Sequence, residues 1–133
     1  MAWNPIGATV PQYSASDNTL ASGYYLRFEA SGTTTDINMA TDSGGGTQLT
    51  KCAINDAGYP ITGASAVFIP HVNEAYKISL YPTETDADNK TNAVWSIDGL
   101  YPINELTLAE INADNVNYTS PERGLLLLIS ARY

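Results

Sequence analysis

Gly23-Tyr24-Tyr25-Leu26-Arg27-Phe28-Glu29 is the stretch that decides the fold class. Tyr24, Leu26 and Phe28 alternate with Tyr25, Arg27 and Glu29, and a period of two predicts a strand with one apolar and one polar face. Gly23 opens this strand, and Ser31-Gly32-Thr33 signals a turn after it. The same period returns over residues 74–81, where Tyr76, Ile78 and Leu80 alternate with Lys77, Ser79 and Tyr81 before Pro82 closes the run. On this reading Glu29 and Glu74 lie on solvated strand faces.

Working outward, residues 47–55, 64–69 and 93–98 read as further strands, with a short one over 37–39. Asp42-Ser43-Gly44-Gly45-Gly46 and Asn55-Asp56-Ala57-Gly58-Tyr59-Pro60 read as turns, and residues 83–92 as a polar loop. Thr107 and Glu110 have capping-box spacing, so residues 107–114 predict a turn or two of helix. The apolar run 125–131 fits a buried strand or a packed helical turn, and periodicity does not choose between them. Residues 1–21, rich in Pro, Ser, Thr, Asn and Ala, read as an extended arm with Trp3, Ile6, Val10 and Tyr13 as apolar anchors. The expected architecture is therefore all-β, mainly an antiparallel sandwich or barrel-like fold. It has an extended N-terminal arm (1–21), a single β-rich body (22–133) and at most one short helix.

Composition agrees with one folded domain: 133 residues, 44% hydrophobic and 15% charged. The net charge is −8, and the six basic residues are scattered along the sequence without forming a run. Phosphate recognition needs a positive footprint, so no nucleic-acid partner is expected, and an anionic membrane surface would repel the chain. The N-terminus has no basic region followed by an apolar run, so it does not read as a secretory signal. The longest apolar run is too short to span a bilayer.

The residue types that carry chemistry argue for no catalytic, metal or cofactor site. Cys52 sits in an alternating apolar stretch and reads as a small buried hydrophobe. His71 is the sole histidine, and one His with one Cys is too few ligands for zinc. Most of the fourteen carboxylates lie in or beside turns, where Asp caps backbone N–H groups. Asp86-Ala87-Asp88 begins like a calcium loop, but Thr91 stands where the turn glycine is needed and Ile97 where the bidentate Glu is needed. The glycine run lacks the Lys-Ser/Thr pair of a phosphate loop. Tyr24, Tyr25, Tyr76, Tyr81 and Trp95 fit either core packing or an aromatic surface for protein or sugar. The chain is expected to be a binding module, not an enzyme.

The order of several segments resembles a known family. These are Gly23-Tyr24-Tyr25-Leu26-Arg27-Phe28, Gly32-Thr33, Thr41-Asp42 with Gly46-Thr47, and Ile54-Asn55-Asp56-Ala57-Gly58-Tyr59-Pro60. Tyr76-Lys77-Ile78-Ser79-Leu80-Tyr81 and Ala93-Val94-Trp95-Ser96-Ile97-Asp98-Gly99 follow. In that order they resemble the N-terminal head-binding domains of bacteriophage tail fibres and tailspikes, particularly of short-tailed phages. The segment 54–60 is the most specific part. The resemblance implies a β-rich, usually trimeric homo-oligomer without catalytic residues. Such a module joins a fibre or spike chain to the tail hub or portal-proximal proteins, which places it in the virion tail after synthesis in the host cytoplasm. Val116-Asn117-Tyr118-Thr119-Ser120-Pro121 resembles the segment that leads into the receptor-binding part of longer relatives.

Three sets of residues are expected at interfaces: the arm positions Trp3, Ile6, Val10 and Tyr13; the turn positions Asn55, Gly58, Tyr59 and Pro60; and the run Leu125, Leu126, Leu127, Leu128 and Ile129. Two other readings fit the same sequence, another virion decoration or tail component and a carbohydrate-binding β-sandwich.

Overall fold

A computed structural model describes residues 3–103. In chain order its strands are β1 (Asn4–Pro5), β2 (Tyr25–Ala30), β3 (Asp36–Ile37), β4 (Met39–Ala40), β5 (Gln48–Leu49) and β6 (Lys51–Ile54). They continue as β7 (Pro60–Thr62), β8 (Ala66–Val67), β9 (His71–Val72), β10 (Tyr76–Tyr81) and β11 (Trp95–Leu100), with one helix, α1 (Glu84–Asn89), before the last. The fold is all-β and antiparallel, as the alternation predicts. A small sheet runs β1-β9-β4-β5, and a larger one runs β11-β10-β2-β6-β7-β8, with β3 also pairing β2.

The core lies where the apolar faces meet. Leu26 and Phe28 from β2, Cys52 and Ile54 from β6, and Tyr76, Ile78 and Leu80 from β10 pack with Met39 of β4, Val72 of β9 and Phe68. Register explains why they share a face: Leu26 stands opposite both Leu80 and Cys52, and Phe28 stands opposite Ile78. Phe28 stacks on Tyr76 with ring centroids 5.3 Å apart.

Several boundaries differ from the sequence expectation. Residues 47–55 do not form one strand: the chain bends at Thr50, giving β5 to the small sheet and β6 to the large one. The strand expected over 64–69 shortens to Ala66–Val67 because it is the return arm of a hairpin with β7, in which Ile61 pairs Val67. The strand expected to stop at Gly99 runs through it to Leu100. Asp98 and Gly99 together face Lys77, a β-bulge that the positive φ of Gly99 (72°) permits.

The stretch 83–92 is not simply a loop. Thr83 caps α1, its hydroxyl accepting from Asp86 N at 3.1 Å, and Glu84 and Asp86 place negative charge in the first turn. Lys90 ends the helix in the left-handed region (φ 54°), donating its backbone N–H to the carbonyls of Ala87 and Asp86. The helix expected over 107–114, the segment 116–121 and the run 125–131 lie outside the described residues, as does all of the expected body beyond residue 103.

The arm is tied to the body. Asn4 and Pro5 pair with Val72 and His71, and Ile6 N donates to Pro70 O at 3.0 Å. Tyr13 N donates to Gly58 O at 2.8 Å, and Ala21 N donates back to Tyr13 O. Backbone groups that would otherwise need water are thereby paired within the chain.

Candidate binding surface

The arm and the 54–60 turn form one structure. Asn55 Oδ1 accepts from the N–H groups of Ala57 and Tyr59, which folds the turn on its own side chain. Gly58 has φ 85°, and a Cβ there would lie 3.0 Å from the Tyr13 carbonyl oxygen and 3.1 Å from Leu20 and Gln12. Only glycine satisfies both the backbone angle and the close approach. Gln12 Nε2 donates to Ala57 O, and Ser22 Oγ donates to Asp56, so both sides of the turn are held by the arm.

Of the residues expected at an interface, Asn55, Gly58, Tyr59, Pro60 and Tyr13 are thus brought together, within this chain. Gly58 and Pro60 are buried, while Asn55, Tyr59 and Tyr13 are half-buried. Tyr13 reaches the core, where its ring lies 6.0 Å from that of Trp95, and burial pushes its phenol well above the ordinary value. Trp95 donates its indole N–H to Ser14 O. Ile6 packs on the core and Val10 is half-buried. Trp3 lies across the glycine run: a Cβ on Gly45 would stand 2.3 Å from the indole nitrogen. The run that reads as a flexible turn is a seat for Trp3. Leu125, Leu126, Leu127, Leu128 and Ile129 lie outside the described residues.

The polar face of β2 corrects two expectations. Arg27 and Glu29 are both buried, at 8% and 6% exposure, so Glu29 is not solvated. The four basic residues among the described ones, Arg27, Lys51, Lys77 and Lys90, converge there. Arg27 faces Lys51 across the β2–β6 ladder, and Glu29 faces Lys77 across the β2–β10 ladder. Arg27 donates to Asp36 at 2.6 Å and to Ala87 O at 2.9 Å. Lys90 bridges Glu29 at 3.2 Å and Asp36 at 2.6 Å and donates to Thr34 O. Lys51 pairs with Glu84 and Asp88 of α1. Every cation in this cluster already has a carboxylate, so the cluster presents no free positive footprint for phosphate.

Asp86, Cys52 and His71 are each engaged locally. Asp86 accepts from Thr83, Thr91 and Asn92, which hold its carboxyl below the ordinary value. It closes the helix and its exit turn. Burial pushes the Cys52 thiol up to about 12, far from a reactive thiolate. His71 donates Nδ1–H to Ile69 O at 2.6 Å, since a carbonyl can only accept. Among the described residues no group of three His, Cys, Asp or Glu side chains could hold a metal ion, and no helix is long and apolar enough to cross a membrane. A depression of about 220 Å³ beside Tyr25, Lys51, Ile61 and Glu84 is smaller than usual small-molecule sites.

What the sequence did not single out is the surface left open. Among the described residues, Leu20, Val67, Ile97, Tyr101 and Ile103 are the exposed large apolar side chains, at 41–77% exposure. Three of them, Ile97, Tyr101 and Ile103, belong to β11 and the residues just after it. Period-two alternation identifies β11 as a strand, but only the strand order places it last in the larger sheet among the described residues. No family model matches the chain, and a search of curated proteins finds no match.

Proposed function

We propose that the chain is a structural module of a bacteriophage tail, an adaptor or anchoring head that attaches a receptor-binding fibre or spike to the tail hub. Its work is binding alone, by more than one copy of the chain. The observation that carries this reading is the 54–60 segment. The residues that carry the resemblance there are the ones the fold depends on: Asn55 ties the turn, and Gly58 admits the Tyr13 backbone. An all-β body to which the described arm is tied at Asn4, Pro5, Ile6 and Tyr13 suits a part that transmits load between larger assemblies. Because Trp3, Ile6 and Tyr13 face this chain's own body, contact with the hub falls to the exposed remainder of the arm and to the open surface around β11.

The carbohydrate-binding reading has less support. Trp3 is seated on Gly45 and Trp95 is engaged by Tyr13 and Ser14, so neither indole forms an open stacking platform. The test is quantitative mass spectrometry of virus particles banded from the source culture. The chain should be present at the low, fixed copy number of a tail component. Expression in the cells together with absence from the particles would overturn the proposal.

A further inference from the structure

We infer that residues 83–92, helix α1 with its two turns, form a charge-latched flap that lifts off the outward face of the larger sheet as a unit while the sheet stays folded. Ionic strength sets how often it opens. The inference goes beyond the tail reading and does not depend on it.

The flap has little apolar surface to hold it down. Ala87 is the one buried residue of α1. A methyl group removes little area from water, and a helix of six residues does not persist by itself. The ties to the body are polar and remote in sequence. Glu84 and Asp88 pair with Lys51 of β6, and Ala87 O accepts from Arg27 of β2 at 2.9 Å. Lys90 reaches Glu29 of β2, Asp36 of β3 and the Thr34 carbonyl. Register lines these anchors up on the outward side of the sheet: Arg27 stands beside Lys51, and Glu29 beside Asp36. Within the flap, Asp86 accepts from Thr83, Thr91 and Asn92, which joins its two ends.

The latch works against a load. Arg27 and Lys51 are like charges directly opposite on the β2–β6 ladder, which destabilises a sheet unless carboxylates intervene. Asp36 serves Arg27 from the body, but the two carboxylates that serve Lys51 ride on the flap. Lys90 ends α1 in left-handed backbone (φ 54°), which costs free energy in a residue with a Cβ and is relieved on opening. Opening also strands no buried charge. Arg27 keeps Asp36, Glu29 keeps Lys77, and Lys51, Glu84 and Asp88 reach water. Salt acts on this latch selectively. The screening length falls from about 10 Å at about 0.1 M to about 3 Å at about 1 M, whereas salt does not weaken the apolar burial that holds β2 and β10.

The test is native-state hydrogen exchange of the full chain, followed by NMR at about 0.05 M and about 1 M NaCl. The N–H groups of Ala87, Lys90 and Thr91 bond to the carbonyls of Thr83, Ala87 and Asp86, so their exchange reports the flap. High salt should speed them roughly tenfold and leave β2 and β10 unchanged or slower. Lys51→Met should speed flap exchange already at low salt and shrink its salt response. Lys77 lies on the same face, but its ion pair with Glu29 is internal to the sheet, so Lys77→Met should make flap exchange no faster. The inference is overturned by flap exchange that ignores salt, by an equal salt response in β2 and β10, by wild-type behaviour of Lys51→Met, or by faster flap exchange in Lys77→Met. The salt series uses the wild-type chain and so decides even if a variant fails to fold. Failure of the tail reading shows separately, in the content of virus particles.

Discussion

The two faces of β2 are buried by opposite means. Its apolar face places Leu26 and Phe28 at 0% exposure against side chains from β6, β10 and the small sheet. Its polar face places Arg27 and Glu29 almost as deep, but beneath α1 and the β2–β3 turn, with every charge paired. On the first face stability comes from apolar area removed from water. On the second it comes from the geometry of ion pairs, whose attraction must offset the cost of desolvation. The difference shows that period-two alternation identifies a strand without saying that its polar side is wet. One detail marks the polar face as the less complete: Arg27 Nε is buried without a hydrogen-bond partner.

The largest expected effect comes from breaking the apolar face. Phe28→Ala removes a fully buried ring and its stack on Tyr76, and should cost about 3–5 kcal/mol, read as a shift of the urea midpoint at unchanged slope. Breaking the polar face should cost less. Arg27→Ala removes the guanidinium donor to Ala87 O, but that carbonyl keeps the Lys90 N–H, and Asp36 keeps Lys90 as a partner and is itself half-exposed, so a loss of about 2 kcal/mol is expected. Arg27→Met sharpens the comparison, because it keeps the packed stem and removes both the charge and the unsatisfied Nε. It should recover at least half of the loss in the same urea titration. A Met variant as unstable as the Ala variant would show that the ion pairs themselves hold this face.

Those two faces also mark how far sequence reasoning reaches. β2 and β10 were legible because alternation is local, and the all-β class followed from them. The cover over Arg27 and Glu29 was not. Its helix is six residues long, too short for an amphipathic repeat, and its contacts are remote in sequence: Lys90 meets Glu29 from 61 positions away. The candidate surface divides the same way. Turn chemistry singled out Asn55, Gly58 and Pro60, and the arm singled out Tyr13, but nothing local says that Tyr13 lies on Gly58. The bend at Thr50, which sends two halves of one alternating run into different sheets, has no glycine or proline to announce it. Ile97 reads as one residue of a strand over 93–98, and only strand order leaves it, among the described residues, on the last strand of the larger sheet.

The cap of α1 offers a smaller break on the polar side alone. Thr83→Ala removes the hydroxyl that accepts from Asp86 N and should cost about 1 kcal/mol by thermal or urea melting, with the apolar face undisturbed. Native-state hydrogen exchange should show faster opening over residues 84–91 and little change in β10.

Acid titration should act on the same cover by the gentlest route. Hydrogen bonds from Asn92, Thr83 and Thr91 hold the Asp86 carboxyl below its ordinary 3.8, and the Gly32 and Gly99 N–H groups do the same for Asp98. A depressed folded pKa means that the unfolded chain binds more protons through that range, so the contribution is complete above 3.8 and is lost as pH falls through the folded values. Melting temperature should therefore drop in the acid range below 3.8, and Asp86→Asn should flatten part of that slope and lower stability near neutral pH, where the wild-type carboxylate makes its full contribution. Exchange at residues 84–91 should quicken in acid before exchange in β10 does, because the carboxylate ties lie on the polar cover and none lies in the apolar core. Simultaneous opening of both would show that the two faces of β2 unfold as one unit, and that the helix is part of the core in energy as well as in position.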